Sequence, residues 1–283
     1  MHRLNRYLSL LFLVIGIASM VYFTDHFSGK FLPESSSVHG LWTDSLFNYT
    51  LLIIGAVFLL THVLLFVFLF RYGKASKAHH YPYNNTLEIA WTVAPLITFL
   101  ALFYFSSRNW DRIMYNKQET FLEIDVMGEQ FNWQIRYPGK DGRLGRCHTA
   151  LISNENPMGI DISDPASKDD FTAYQMHLPK GKQVKLKIRS KDVIHSVYLP
   201  HFRVKMDAVP GVVTHFDFTP RFTTNEMKEK LGKPDFNYEM GCAELCGRGH
   251  FLMLHYVVVD ELPEFEKWYS QQSKDGLFTY LFE

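Results

Sequence analysis

Apolar residues fill three long stretches early in the chain and then give way to alternation, which divides it into a membrane part and a β-rich part. The first stretch, about Tyr7 to Phe23, follows Arg3 and Arg6 and has the arrangement of either a signal peptide or a short first anchor. Gly16-Ile17-Ala18 offers a small-x-small cleavage site, but no cysteine follows for lipidation, and the reading leans to retention. The second, about Tyr49 to Phe70, is broken only by Thr50, Gly55, Thr61 and His62 and is long enough to span a bilayer. The third runs from about Leu87 to Phe105. Arg71, Lys74 and Lys77 lie between the last two with no acid, which places that loop in the cytoplasm and returns the chain outside at Arg108. Thr24 to Asn48, with Pro33 and Ser35-Ser36-Ser37, reads as an exposed connector.

Beyond Asn116 the period becomes two. Phe121 to Val126 and Val184 to Ile188 alternate as half-buried strands do, and shorter extended pieces follow at Val193 to Leu199, Val212 to Phe218 and Phe251 to Val259. Pro138-Gly139, Pro179-Lys180-Gly181 and Pro210-Gly211 separate them as turns. Short strands so spaced predict a Greek-key sandwich or barrel. Leu262 to Gln272 reads as a helix with Phe265, Trp268 and Tyr269 on one face. The expected organisation is an N-terminal apolar segment and connector over 1–48, a transmembrane hairpin over 49–116, a β-domain over 117–261 and a closing helix and tail over 262–283.

Composition narrows the function classes. Lys and Arg total 29 and Asp and Glu total 29, so there is no basic excess to serve a polyanion, and no nucleic-acid motif is present. Only three cysteines occur, and Cys147 has the default reading of a lone free thiol. The other two lie in Gly241-Cys242-Ala243-Glu244-Leu245-Cys246-Gly247-Arg248-Gly249-His250-Phe251-Leu252-Met253, a run that gathers two thiols, an imidazole and a thioether. Soft donors of this kind select copper, and His195 upstream, in an extended β-branched setting, offers a second imidazole. A single blue-copper site needs one Cys, two His and a weak Met. Cys246, His250, Met253 and His195 would complete one and leave Cys242 over, whereas two bridging sulfurs would serve a pair of coppers. Three plainer readings stay open: a Cys242–Cys246 disulfide, a zinc site, and His250 with Met253 as core fillers.

The motif resembles that of subunit 2 of the haem-copper cytochrome c oxidases, which carries Cys-x-Glu-x-Cys-x3-His-x2-Met and an upstream His-Ser around a binuclear copper centre, CuA. The resemblance implies a cupredoxin fold for the β-domain, anchored in the cell inner membrane and facing outside. It implies that Cys242 and Cys246 bridge the coppers, that His195 and His250 are terminal ligands, and that Met253 is a weak axial ligand. Glu244 would ligate through its backbone carbonyl, with its carboxylate reaching a magnesium shared with subunit 1. Glu88-Ile89-Ala90-Trp91-Thr92-Val93-Ala94-Pro95 resembles the family's Glu-x-x-Trp-Thr-x-x-Pro, which would place Glu88 near the entry of a proton channel of subunit 1; its plain reading is a helix-end acid. At Gly128-Glu129-Gln130-Phe131-Asn132-Trp133 the family has Gly-x-Gln-Trp-x-Trp, whose first Trp receives electrons from cytochrome c. Here Phe131 stands there, so Phe131 and Trp133 are the electron-entry candidates, and core packing is their plain reading.

By the same resemblance Asp207 would face subunit 1, and Val212 stands where the family commonly has Arg. Asp161, Asp164, Asp169 and Asp170 are either a steering patch for a basic donor or a solvated loop. His62 reads as a packed polar residue hydrogen-bonded to a neighbouring helix. The expected function is electron entry from cytochrome c to an oxidase that reduces oxygen to water and pumps protons. Two other classes remain: the copper subunit of a nitric oxide reductase, and a non-enzymatic membrane-anchored copper carrier.

Overall fold

The computed structural model describes residues 2–27, 31–73, 77, 80–115 and 119–273. They form two units, one of residues 1–33 and 43–109 and one of residues 34–42 and 110–283.

The first unit is helical, made of α1 (His2–Phe27) and most of α2 (Val38–Tyr72) and α3 (Asn85–Met114). Each is long and apolar enough to cross a membrane, and most of their large apolar side chains are exposed, as lipid-facing helices require. α1 packs on α2 at a small residue. A Cβ added at Gly16 would come within 2.5 Å of the His62 ring, and Phe12 stacks on that ring with centroids 5.0 Å apart. The His62 hydrogen bond runs to the Phe58 carbonyl one turn back in its own helix, at 2.9 Å, rather than to the neighbouring helix as expected. An imidazole within a helix can satisfy one nitrogen on the preceding turn, which leaves its faces for packing.

The second unit is a sandwich. One sheet orders β3 (Phe171–Ala173), β2 (Asn132–Tyr137), β1 (Leu122–Glu129), β5 (Val184–Ser190) and β8 (Thr214–Phe218). The other orders β4 (Met176–Pro179), β10 (Leu254–Asp260), β9 (Tyr238–Cys242), β6 (His195–Leu199) and β7 (Val204–Ala208). β1 runs parallel to β5 and β10 parallel to β4; the other pairings are antiparallel. Ile124, Val126, Ile135, Leu186, Ile188 and Phe216 point inward from the first sheet, and Val197, Leu199, Met240 and Val257 meet them from the second. α4 (Thr224–Leu231) and α5 (Leu262–Gln272) lie outside the sheets.

The expected exposed connector is corrected over Ser35 to Ser37, which are buried. Ser36 N donates to the His201 carbonyl at 2.7 Å, the Ser36 carbonyl accepts from Arg221 N at 2.8 Å, and Ser37 Oγ donates to the Phe202 carbonyl at 2.6 Å. Short side chains let this backbone lie against the domain, and α2 begins directly after it, well before the apolar span.

The acidic run is built into the fold. Asp170 is buried, accepting from Arg136 at 2.9 Å and from Gly145 N at 3.0 Å, while Asp125 takes both Arg136 and Arg189. Asp164 accepts from Ala166 N and pairs with Arg146, Asp161 also pairs with Arg146, and Asp169 accepts from Asp141 N. These carboxylates help hold the 138–170 excursion on the outer face of the first sheet.

Candidate metal centre

The sheet register brings the distant donors together. β6 and β9 pair with Val197 opposite Cys242, and His195 lies two residues before Val197 on the same face. The 243–249 loop then turns back to place Cys246, and a short 3-10 turn, His250–Leu252, leads to Met253 before β10. One donor atom each from His195, Cys242 and Cys246 lies within 4.8 Å of the others. His195 Nδ1 is 3.9 Å from Cys242 Sγ, and His250 Nδ1 is 3.6 Å from Cys246 Sγ. Met253 Sδ is 3.4 Å from Cys246 Sγ, and the Glu244 carbonyl oxygen is 3.2 Å from Cys242 Sγ. Both cysteines are free thiols in this arrangement.

The surroundings are arranged around the imidazole of His195. It is fully buried, and its Nε2 meets Asp192 Oδ1 at 2.8 Å, which leaves Nδ1 for the sulfurs. A carboxylate on the remote nitrogen is the usual way to fix a ligand histidine's tautomer and ring plane. Burial acts to raise the pKa of Asp192, but hydrogen bonds from His195, Gln130 N and Val193 N outweigh it and hold the carboxyl below its ordinary range. Gly128 makes room for the ring, since a Cβ there would come within 2.8 Å of it. Burial first, and the neighbouring Cys242 sulfur second, push the Cys246 thiol up to about 11. A bound cation would displace that proton, because thiolates and not thiols ligate.

Phe131 is half-buried, its ring lying on the Cys246 loop where a Cβ on Gly249 would come within 2.5 Å of it. Trp133 is inside the sandwich at 2% exposure, its ring edge-on to His195 with centroids 5.9 Å apart. Glu88 belongs to the helical unit, at the start of α3. Its Oε1 accepts from Asn84 N at 3.2 Å while Asn84 Oδ1 accepts from Leu87 N at 3.1 Å, a reciprocal helix cap. Asp207 and Val212 are exposed.

Residues 122–261, from the first strand to the last, match the family described as "Cytochrome C oxidase subunit II, periplasmic domain", and residues 25–108 match its transmembrane domain. The chain belongs to the cytochrome c oxidase subunit II family. Its similarity extends to whole relatives. The "Alternative cytochrome c oxidase subunit 2" of Bradyrhizobium diazoefficiens is 34% identical over 270 residues, covering 93% of this chain and 91% of that protein. Cytochrome c oxidase subunit 2 of Cereibacter sphaeroides is 28% identical over 261 residues, covering 87% and 79%. The crystal structure of the periplasmic domain of subunit II of cytochrome oxidase of Bradyrhizobium japonicum aligns at 25% identity with a TM-score of 0.39, over 56% of this chain and 98% of that one.

As a family member the chain is a membrane-anchored subunit with a cupredoxin-like domain, and the family implies copper. The donor set suits that metal: two sulfurs, two imidazole nitrogens and a thioether are soft to borderline ligands. Asp192 and Gln130 escaped the sequence reading. Asp192 stands three residues before His195, a spacing that a search for partners of the ligand could have flagged. Gln130 stands at the Gln of the motif that flagged Phe131 and Trp133, but its side chain bonds the backbone carbonyl of Cys246, at 2.6 Å, a contact that the motif does not announce.

Proposed function

We propose that this chain is the electron-entry subunit of a respiratory cytochrome c oxidase, carrying a binuclear copper centre on the extracytoplasmic side of the inner membrane. The observation that carries the reading is the convergence of Cys242, Cys246 and His195 within 4.8 Å, with His250, Met253 and the Glu244 carbonyl on the same two sulfurs. Cys242 and Cys246 would bridge the metals, His195 and His250 would each offer Nδ1, and Met253 and the Glu244 carbonyl would be the weak ligands. A copper pair so held supplies a one-electron carrier.

The chain's own residues do the rest. Asp192 holds His195 in the tautomer with a free Nδ1, and the buried walls around Cys246 and Met253 keep water from those two sulfurs. Electrons from cytochrome c enter at this end of the sandwich, where Phe131 covers the Cys246 loop and Trp133 lies beneath, and leave for the haem of subunit 1. Oxygen is reduced to water there, with proton pumping. The exposed Glu244 carboxylate would meet a magnesium shared with subunit 1, and Glu88, besides capping α3, would stand near the proton entry.

The test is Cys242→Ser in the full complex. Copper content should fall from two per subunit towards one or none, and the mixed-valence electron spin resonance signature of a shared electron should vanish. Unchanged copper content and an unchanged signature would refute the bridging role.

A further inference from the structure

The two segments that bring the metal donors together are joined by a third that supplies no donor, the turn between β1 and β2. Asp192 uses one carboxylate oxygen for His195 Nε2, at 2.8 Å, and the other for the backbone N–H of Gln130, at 2.7 Å. The Gln130 side chain then donates through Nε2 to the carbonyl of Cys246 at 2.6 Å. Hydrogen bonds therefore run from the imidazole through Asp192 and Gln130 to the peptide of the buried sulfur. The loop is shaped to receive this amide. Gly247 adopts φ +137°, a region that favours glycine, and a Cβ on it would come within 3.1 Å of Gln130 Nε2.

We infer that Gln130 is a positioning residue that locks the Cys246 loop to the His195 segment and so fixes the geometry of the metal cage. Three features favour positioning over incidental surface bonding. The acceptor is the main chain of a donor residue, so the bond constrains where the Cys246 sulfur can lie. The segments it joins are far apart in sequence, so no local turn replaces it. Phe131, next in the chain, rests on Gly249 of the same loop and adds apolar contact to the same junction. A cage tied in this way moves little when its charge changes, the property a fast one-electron site needs.

The inference deepens the reading above, and its copper measurements rest on that reading. Gln130→Met and Gln130→Glu in the full-length chain keep the side chain's length and remove the N–H donor. Gln134→Met is the control, because the Gln134 side chain bonds Glu129 on the outer face of the sheet, at 2.8 Å, and not the Cys246 loop. In copper-loaded complex, both Gln130 variants should hold copper about tenfold less tightly against a chelator, the size expected when an outer partner of a ligand is lost. Their spin resonance hyperfine pattern should change as well, and the control should match wild type on both counts. In the metal-free chain, amide hydrogen exchange across 242–252 should quicken in both Gln130 variants and not in the control.

Wild-type exchange in the Gln130 variants overturns the inference whether or not copper binds, and so does an equal change in the control. If the wild-type complex itself holds no copper pair, the functional reading fails, and the exchange measurement still decides the role of Gln130.

Discussion

His201 packs edge-on against Phe236 and Tyr238, with centroids 5.1 and 5.5 Å away, and its carbonyl accepts the Ser36 N–H. Burial first, then the Arg203 charge, lower its pKa from 6.5 to about 4. The sign follows from linkage. Between those two values the unfolded chain binds the proton more readily than the folded one, so this group's contribution is present above about 6.5 and is lost as the pH falls towards 4. His201→Phe keeps the ring packing and the carbonyl and removes the titration. Thermal melting of the full-length chain in detergent should then fall less between pH 7 and pH 4.5 than in wild type, with little difference at pH 7.5; parallel pH profiles would refute this. Residues of this kind were silent in the sequence, where His201 is one histidine of thirteen. The candidate donors stood out because soft donors are scarce and crowd into one short run, and the fold brings Cys242 and Cys246 together with His195. The contacts of Asp192 and Gln130 did not, because they depend on which ring nitrogen and which backbone atoms come within reach after folding. The same holds for Phe131: the sequence shows only that a ring is present, and the fold lays it on Gly249.

At the scale of elements, α5 closes the sandwich with one aromatic face. Phe265 is buried, Trp268 stacks on His177 with centroids 4.0 Å apart, and Tyr269 reaches the carbonyl of Pro138 and packs on Phe171. This face was readable from the spacing of Phe265, Trp268 and Tyr269, and the helix occupies the expected Leu262–Gln272. Phe265→Ala should cost about 3 to 5 kcal/mol, the range for truncating a buried aromatic. Chemical denaturation of the detergent-solubilised chain measures it, and a loss below about 1 kcal/mol would show that the helix does not depend on that anchor. β1 and β5 were equally plain because they alternate over many residues. β3 and β4 are too short for a period to show, and α4 is too polar. α4 buries little beyond Thr224 and Met227, and a capping box defines its start, with Thr223 accepting from Glu226 N while Glu226 reaches back to Thr223 N. The predicted strand from Phe251 begins instead with a 3-10 turn, because Met253 must face the sulfurs before β10 can start at Leu254.

For the molecule as a whole, the decisive question is which side of the membrane each part occupies, and the charges flanking the helices bear on it. The loop after α2 carries Arg71, Lys74 and Lys77 and no acid, whereas the far end of α3 carries Arg108 and Arg112 together with Asp111. Positive charge in short loops is retained in the cytoplasm, and that bias supports the proposed orientation, with the loop after α2 inside and the β-domain outside. α1 runs antiparallel to α2, with Gly16 meeting His62 and Met20 meeting Gly55. A phosphatase reporter that is active only outside the cytoplasm should be active when fused after Gln272 and inactive when inserted at Lys77. Replacing Arg71, Lys74 and Lys77 with Gln should mix the two orientations and lower the copper recovered with the chain, since on the proposed function a domain left in the cytoplasm is kept from its donor and its metal. Reporter activity at Lys77 in the wild-type chain would reverse the topology. Electron entry from an external cytochrome c would then be untenable, even with every donor atom in place.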